Sequence, residues 1–476
     1  MVGGMTLRKE QLKERASSLV EIPAHYQLVI EEYHEDGEAI FSWTDQQQEE
    51  GVSVTLDLTG NLTSLSIERN KTYKITSILD RSELKEQAEK FLSSHYPDAL
   101  QALTHSQTEQ LTDGYRFTYE QLVMDLPLAH AGCFIDVEPG GEIVNFHYYG
   151  IQAEPIIPEE LIEKEKLIEH VQSRLDLQLT ITNLNSAIYN VEEDGLRLVY
   201  DVELFMNYKA GVAEPTLSII HEEDSPEEYV SLPSLITEVR RNLSAEEIIG
   251  ITEEMGVIRK VDLGEETGIV WRDLDWRMEE KDLSLSSFLQ HHNEDTVKAF
   301  LSNETGKVRS FMWFKERSGD LLLSRDECYQ KAIDFLQMLI PNEYQYLHLI
   351  VRDDDELDNP KGKEVFTFQV QNSQGIRIYL EIVIVAVNRQ TGQIDHYSGP
   401  SFDFEQLHHI PSEPVITKEE AHDTFLKSLD FELAWHKNFD EKEDGYTLVY
   451  QDCDRHTRKS IRYIDAITGA VITTRS

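Results

Sequence analysis

The chain has 476 residues, with 44 Lys and Arg against 88 Asp and Glu and a formal net charge of −44. So acidic a surface repels phosphate backbones and anionic lipid, which are bound through cations that release counterions, so nucleic acid is close to excluded as a general partner and anionic membrane is a poor one. Apolar residues make up 40% of the chain, enough to fill several small cores, but no stretch is long enough to span a bilayer.

The N-terminus, Met1 to Gln11, carries no apolar segment of a secretory signal and runs straight into a charged helix pattern; a cytoplasmic chain is expected. Cys133, Cys328 and Cys453 are odd in number and far apart, which points to reduced thiols rather than a disulfide framework.

Taken in order, an amphipathic helix around 7–20 stops near Pro23, and strand patterns follow at 25–33, 38–44, 51–58 and 62–69. A second helix runs from Ser82, as N-cap, to Pro97, with strands at 115–124, 132–137 and 142–149. A third helix starts at Pro158, where Glu159 and Glu160 suit the positive helix start, and ends near Leu175. Strands at 196–208 and 216–220 lead into the acidic run His221 to Glu228, which reads as a linker. Beyond it, Ser244–Glu247, Ser324–Glu327 and Thr417–Glu420 are capping boxes that open three further helices. Strands are expected at 267–272, 296–301 and 308–315, and a hairpin over 380–397.

That hairpin is the recurring piece. A β-branched run reaches Asn388, turns through Thr391-Gly392 and returns as an alternating strand. Related turns stand at Asp57–Gly60, Asp136–Gly140, Asn303–Gly306 and Asp465–Gly469. An Asp or Asn opens each, bonding nearby N–H groups, and Gly supplies positive φ near the close.

The two halves align on one another. Phe91-Leu92 with Pro97 matches Phe335-Leu336 with Pro341, an offset of 244. Glu193-Asp-Gly-x-x-Leu-Val-Tyr200 matches Glu443-Asp-Gly-x-x-Leu-Val-Tyr450, an offset of 250. Order kept while offsets drift is what duplication with loop insertions produces. Each half divides into three units of a helix followed by strands, with boundaries at 1–78, 79–152, 153–235, 236–320, 321–410 and 411–476. The fourth carries an insertion around 277–295.

The helix-plus-Pro segments at 91–97 and 335–341, with the hairpins ending at Gly392 and Gly469, resemble the YcdB/YcdC repeat family of Bacillus-type bacteria, whose units look like PepSY domains. The resemblance implies an α+β fold, a small antiparallel sheet packed on a helix in each unit, and a group of binding or inhibitory modules often found outside the membrane. It implies no catalytic residue.

Motifs for catalysis fail on inspection. Gly306-Lys307 lacks the leading glycine and the Ser/Thr of a phosphate loop, and Gly264–Gly268 lacks dinucleotide spacing. The chain has no His-Glu-x-x-His pair and no Gly-x-Ser-x-Gly elbow. Asp353 to Asp358 offers carboxylates for Ca²⁺ but lacks the glycine of an EF-hand loop. Cys453 and His456 supply two zinc ligands where four are needed. His291-His292 and His408-His409 could bind a transition metal or sense pH, but paired histidines in polar loops read first as surface. Trp43 and Trp271 read as core, and Phe311 to Phe314 as a stripe alternating inward and outward.

The expectation is therefore a non-enzymatic protein-binding or regulatory protein for a basic-faced partner, with no cofactor, metal or catalytic residue assigned. The competing reading is a metal-assisted hydrolase whose carboxylate–His site assembles between units.

Overall fold

The structure, a computed structural model, describes residues 7–34, 37–69, 78–202, 207–217, 228–234, 243–277, 282–351, 362–439 and 445–475. The fold is α+β and mostly sheet, in two repeated halves.

The first half opens with α1 (Lys9–Leu19), β1 (Gln27–Tyr33), β2 (Glu38–Thr44), β3 (Gly51–Asp57) and β4 (Leu62–Glu68). Then come α2 (Arg81–His95), the single turn α3 (Ala99–Ala102), β5 (Thr104–Leu111), β6 (Gly114–Val123), β7 (Leu126–Val137) and β8 (Ile143–Gly150). It continues through α4 (Lys164–Arg174), β9 (Gln178–Leu184), β10 (Gly195–Asp201) and β11 (Asn207–Lys209).

The second half repeats this order. After β12 (Glu228–Ser231) come α5 (Ala245–Ile249), β13 (Met255–Asp262), β14 (Glu266–Asp273), the inserted α6 (Leu285–Asn293), β15 (Thr296–Ser302) and β16 (Val308–Trp313). Next are α7 (Arg325–Leu339), β17 (Leu347–Val351), β18 (Lys363–Gln371), β19 (Arg377–Asn388) and β20 (Ile394–Ser398). Last come α8 (Lys418–Ser428), β21 (Leu429–Asn438), β22 (Gly445–Asp454), β23 (Ile461–Asp465) and β24 (Val471–Thr473).

The helices form where the caps specify them. In α7 the Ser324 hydroxyl accepts from the Glu327 N–H while Glu327 returns to the Ser324 N–H. Its apolar stripe, Cys328, Ala332, Ile333, Phe335 and Leu336, is buried, and the helix ends before Pro341, which disfavours the helical region for the residue it follows. Two helix starts differ from expectation. The cap of α2 is Asp80, whose carboxylate accepts from the Ser82 and Glu83 N–H groups. The third helix begins at Lys164 rather than Pro158, because the Ile162 N–H is drawn to the Ala210 carbonyl and the backbone there stays extended.

Among the described residues the strands form two large sheets. One has the order β1-β2-β3-β4-β8-β7-β21-β22-β11, with β6 and β5 branching from β7. The other has the order β13-β14-β15-β16-β20-β19-β9-β10-β23-β24, with β18, β17 and β12 branching from β19. Glu228, at the end of the expected linker, opens β12, which pairs with β17.

The halves are therefore interleaved. Hairpin β9–β10 leaves the first half and joins the second half's sheet, where Val199 pairs with Asp465 and Tyr200 with Ile464. Hairpin β21–β22 makes the reverse crossing, so that Val449 pairs with Lys209 and Tyr450 with Tyr208. The two crossings correspond bond for bond. The Ala466 N–H donates to the Leu198 carbonyl at 3.0 Å and the Ala210 N–H to the Leu448 carbonyl at 2.9 Å. Each hairpin enters through one parallel contact, Ile181 against Ile378 or Trp435 against Leu128. The stretches 153–235 and 411–476 thus share two composite sheets rather than forming one sheet each.

The core follows this topology. One cluster fills 12–146, around Phe41, Phe117 and Phe146. A second runs unbroken from Leu128 through the interleaved strands to Ala466. The outer half of one composite sheet adds a small third cluster, Leu184, Val191, Val199, Tyr463 and Ile472.

Candidate functional site

The candidates for chemistry that lie within the described residues fall on strands, turns and helix ends. Cys453 is buried on β22, where burial pushes its thiol up to about 11. Burial likewise raises Cys133 to about 12 and raises Cys328, which leaves all three thiols poorly ionised and weak as nucleophiles. Asp454, between Cys453 and His456, opens a hairpin turn. Its Oδ1 accepts from the Thr457 N–H at 2.7 Å, the Thr457 hydroxyl at 2.9 Å and the His456 N–H at 3.1 Å. The turn closes on Arg458, at φ 60, where the sister turns have glycine. Its guanidinium is held by Asp430 at 2.5 Å and Glu432 at 3.1 Å.

Of the histidine pairs, His292 contacts the Phe288 carbonyl through Nδ1 at 2.8 Å and Gln48 Oε1 through Nε2 at 2.6 Å. His408 and His409 are exposed at the end of a short 3-10 helix. Asp353 to Asp358 and the His291 side chain lie outside the described residues. Among the described residues, no group of three or more His, Cys, Asp or Glu is gathered as metal ligands. Gly306 closes a hairpin turn at φ 65. Trp43 and Trp271 are core. In the aromatic stripe, Phe311 and Trp313 point into the core while Phe314 stands 39% exposed.

Two turns are corrected. Asp136 is not a turn opener: it sits within β7 with both carboxylate oxygens on Arg116, at 2.7 and 2.8 Å. The turn there runs Glu138 to Gly141, and Gly141 rather than Gly140 takes positive φ, at 88°. In the 302–306 turn Ser302, one place earlier than Asn303, accepts the Thr305 N–H through its hydroxyl.

The most buried carboxylate cluster is also saturated. Asp395, 1% exposed, takes Arg317 on Oδ1, with Lys363 and Asn388 on Oδ2 at 3.1 Å each. Arg317 in turn stacks 4.1 Å over the Trp313 ring. Glu364 beside it meets Arg325 at 3.2 Å and Arg389 at 3.3 Å. Carboxylates so fully paired fix local geometry and have little capacity left for a substrate proton.

An open cleft of about 440 Å³ has a different character. Its lining comes from the β2–β3 turn (Glu49), the end of β4 (Ile67 and Glu68) with Arg69, the β5–β6 turn (Leu111 to Asp113), Asp136, Glu138 and Val144. Among the described residues five carboxylates line it, of which Asp136 is already paired with Arg116, and Arg69 is itself engaged by Glu142 at 2.8 Å. Burial, and then the charge of Glu142, raises the pKa of Glu138, while Arg69 acts in the opposite sense. Strand β5 ends in this cleft, and among the described residues it pairs with β6 alone, leaving its outer edge open. The cleft escapes sequence inspection because its acids come from separate turns, brought together by the β4–β8 and β6–β7 pairings.

The sequence profile of the YcdB, YcdC repeated domain matches residues 9–150 and 238–401. The chain belongs to this family. Two proteins of Bacillus subtilis (strain 168), both named as uncharacterized, are similar along nearly their whole length. YcdB is 31% identical over 98% of either chain, and YcdC is 28% identical over 95% of this chain and 99% of its own. Among solved structures, the Bacillus megaterium YpeB C-terminal domain overlaps 48% of this chain and 93% of its own at 16% identity, with a TM-score of 0.24. The family repeat thus ends at 150 and 401, before the strands that the halves exchange.

Proposed function

We propose that this YcdB/YcdC-family chain is a non-enzymatic binding scaffold of six PepSY-like units, the third and sixth interleaved into shared sheets, that holds a basic-faced protein partner in a regulatory or inhibitory role. The observation that carries the reading is the carboxylate-lined cleft at the end of β5, whose outer edge is open among the described residues. An extended segment added to β5 gains main-chain hydrogen bonds, and a lysine or arginine at its end beside the β5–β6 turn meets Asp113 at the mouth of the cleft. Neutralising crowded carboxylates supplies specificity as well as attraction. The saturation of Asp395 and Glu364 and the inert cysteines fit a scaffold better than a catalyst.

The test uses a labelled peptide alternating Lys and Val, titrated against the full chain and against a Glu68→Lys, Asp113→Lys, Glu138→Lys variant. Binding is expected to the former and to fall roughly tenfold or more in the latter. Equal binding by both, or preference for a Glu/Val peptide at this cleft, overturns the reading.

A further inference from the structure

The two halves treat their first edge strands differently. In β1 the Glu31 N–H donates to the Leu283 carbonyl at 2.6 Å, and the Glu32 carboxylate accepts the Leu285 N–H at 2.7 Å at the start of α6. The insertion in the second half thereby covers the edge of the first. The sister strand β13 has the same register and the same bulge: Leu28 pairs with Trp43 and Val257 with Trp271, and the ladder shifts at the following residue in both. Lys260 consequently stands where Glu31 does, and among the described residues no backbone carbonyl outside the sheet accepts from it. Around this edge Val257, Ile258, Leu263 and Leu274 are 53–69% exposed. A bare, apolar edge is a pairing template.

The chemistry of the neighbouring face is the reverse of the cleft's. Across the ladder Arg259 pairs with Val270 and Val270 with Lys298, and Arg272 lies on the same face two residues along β14. The first half has Ile30, Ser53 and Thr44 in the equivalent places. Arg272 stacks 4.0 Å over Trp276, and the Lys298 ammonium lies 5.2 Å from the Phe314 ring. The Lys298 pKa is lowered by burial and then by Arg259 and Arg272. Glu294 and Asp295 act on Arg272 in the opposite sense.

We infer that β13 and the outer face beside it form a docking site for an extended acidic segment of a partner protein. The segment adds a strand to β13, its main chain takes up the Lys260 N–H, and a carboxylate on it meets Arg259 on β13 itself, with Arg272 and Lys298 further along the same face adding positive potential. Apolar residues between them cover Val257 and Ile258. Repulsion from the rest of the −44 surface is screened within about 8 Å at physiological salt, so the local cations decide the contact.

The experiment measures fluorescence anisotropy of a labelled peptide alternating Asp and Val with the full chain. Its companions are a Lys/Val peptide and the acidic peptide N-methylated at alternate backbone positions. The acidic peptide is expected to bind, and either N-methylation or the Arg259→Glu, Lys260→Glu variant to weaken it roughly tenfold. Both substituted positions are on the strand edge, and an unchanged melting midpoint confirms that the variant folds. The inference is overturned if the N-methylated peptide binds equally or if the double variant binds undiminished. A single-stranded oligonucleotide with the same Arg259 dependence would overturn it in favour of a general anion site. So would a dimer of the chain that the double variant disperses, which would make a second copy the occupant.

Discussion

At Gly392 the backbone sits at φ 68 and at Gly469 at φ 74, as their place at the close of an Asx turn requires. The turn openers do their part too: Asn388 Oδ1 accepts from the Gln390 and Thr391 N–H groups, and Asp465 Oδ1 from those of Ile467 and Thr468. A Cβ at Gly392 would also meet the Leu323 side chain at 3.3 Å. Gly392→Val is expected to destabilise by about 1–3 kcal/mol, since a β-branched residue is strained at positive φ; an unchanged melting midpoint would contradict this. Asp430 gives a second test at this scale. Burial pushes its carboxyl up, but the Phe431 N–H, Arg458 and Lys164 outweigh it and hold the pKa at about 2. Its contribution is therefore complete above the unfolded value near 4 and is lost as pH falls toward the folded one. Asp430→Asn should flatten that part of the acid-unfolding curve and remove about 1 kcal/mol at neutral pH, a figure discounted for solvent screening. Asp395→Ala leaves Arg317 buried without its counter-ion and is expected to cost about 3–5 kcal/mol in denaturant unfolding. A loss below about 1 kcal/mol there would mean the cluster is not held as described.

At the scale of elements, the joints of the exchange are side-chain bonds as well as ladders. The Trp435 indole N–H donates to the Val123 carbonyl at 3.0 Å, and the Tyr446 hydroxyl to the Ala129 carbonyl at 2.8 Å. On the other side the Tyr200 hydroxyl donates to the Ile416 carbonyl at 2.9 Å. Trp435→Ala should destabilise by about 3–5 kcal/mol, as loss of a buried aromatic does, and it should loosen β21–β22 first in hydrogen exchange. Protection lost elsewhere before β21–β22 would count against this joint. Helices with capping boxes at Ser244, Ser324 and Thr417 were legible because the cap is a local device. So were the repeat of Tyr200 in Tyr450 and the insertion that became α6. The exchange itself was not legible, because β9–β10 and β21–β22 present the same faces whichever sheet receives them. Strand β5, Thr-His-Ser-Gln-Thr-Glu-Gln-Leu, has no apolar alternation to announce it, as befits an edge. The acidic cleft and the cationic row on β13–β15 each unite residues that only sheet pairing brings together.

For the whole molecule, interleaving makes each half incomplete without the other. Fragments 1–237 and 238–476 made separately should each leave a composite sheet missing its exchanged hairpin, and should melt well below the intact chain. Mixed or co-expressed, they should recover a cooperative transition; separate fragments as stable as the intact chain would argue against the exchange. On this frame the first half presents an acidic cleft beside β5 and the second a cationic edge at β13, so one chain offers two surfaces of opposite chemistry. If the cleft holds a basic segment, the association rate of the Lys/Val peptide with the full chain responds to ionic strength, and differently in wild type and in the Glu68, Asp113, Glu138 variant. A steep fall with salt is expected for the wild type, since steering by exposed charge is screened within about 8 Å at physiological salt, and a slower, shallower profile for the variant. Superimposable profiles, or a wild-type rate that ignores salt, would contradict it.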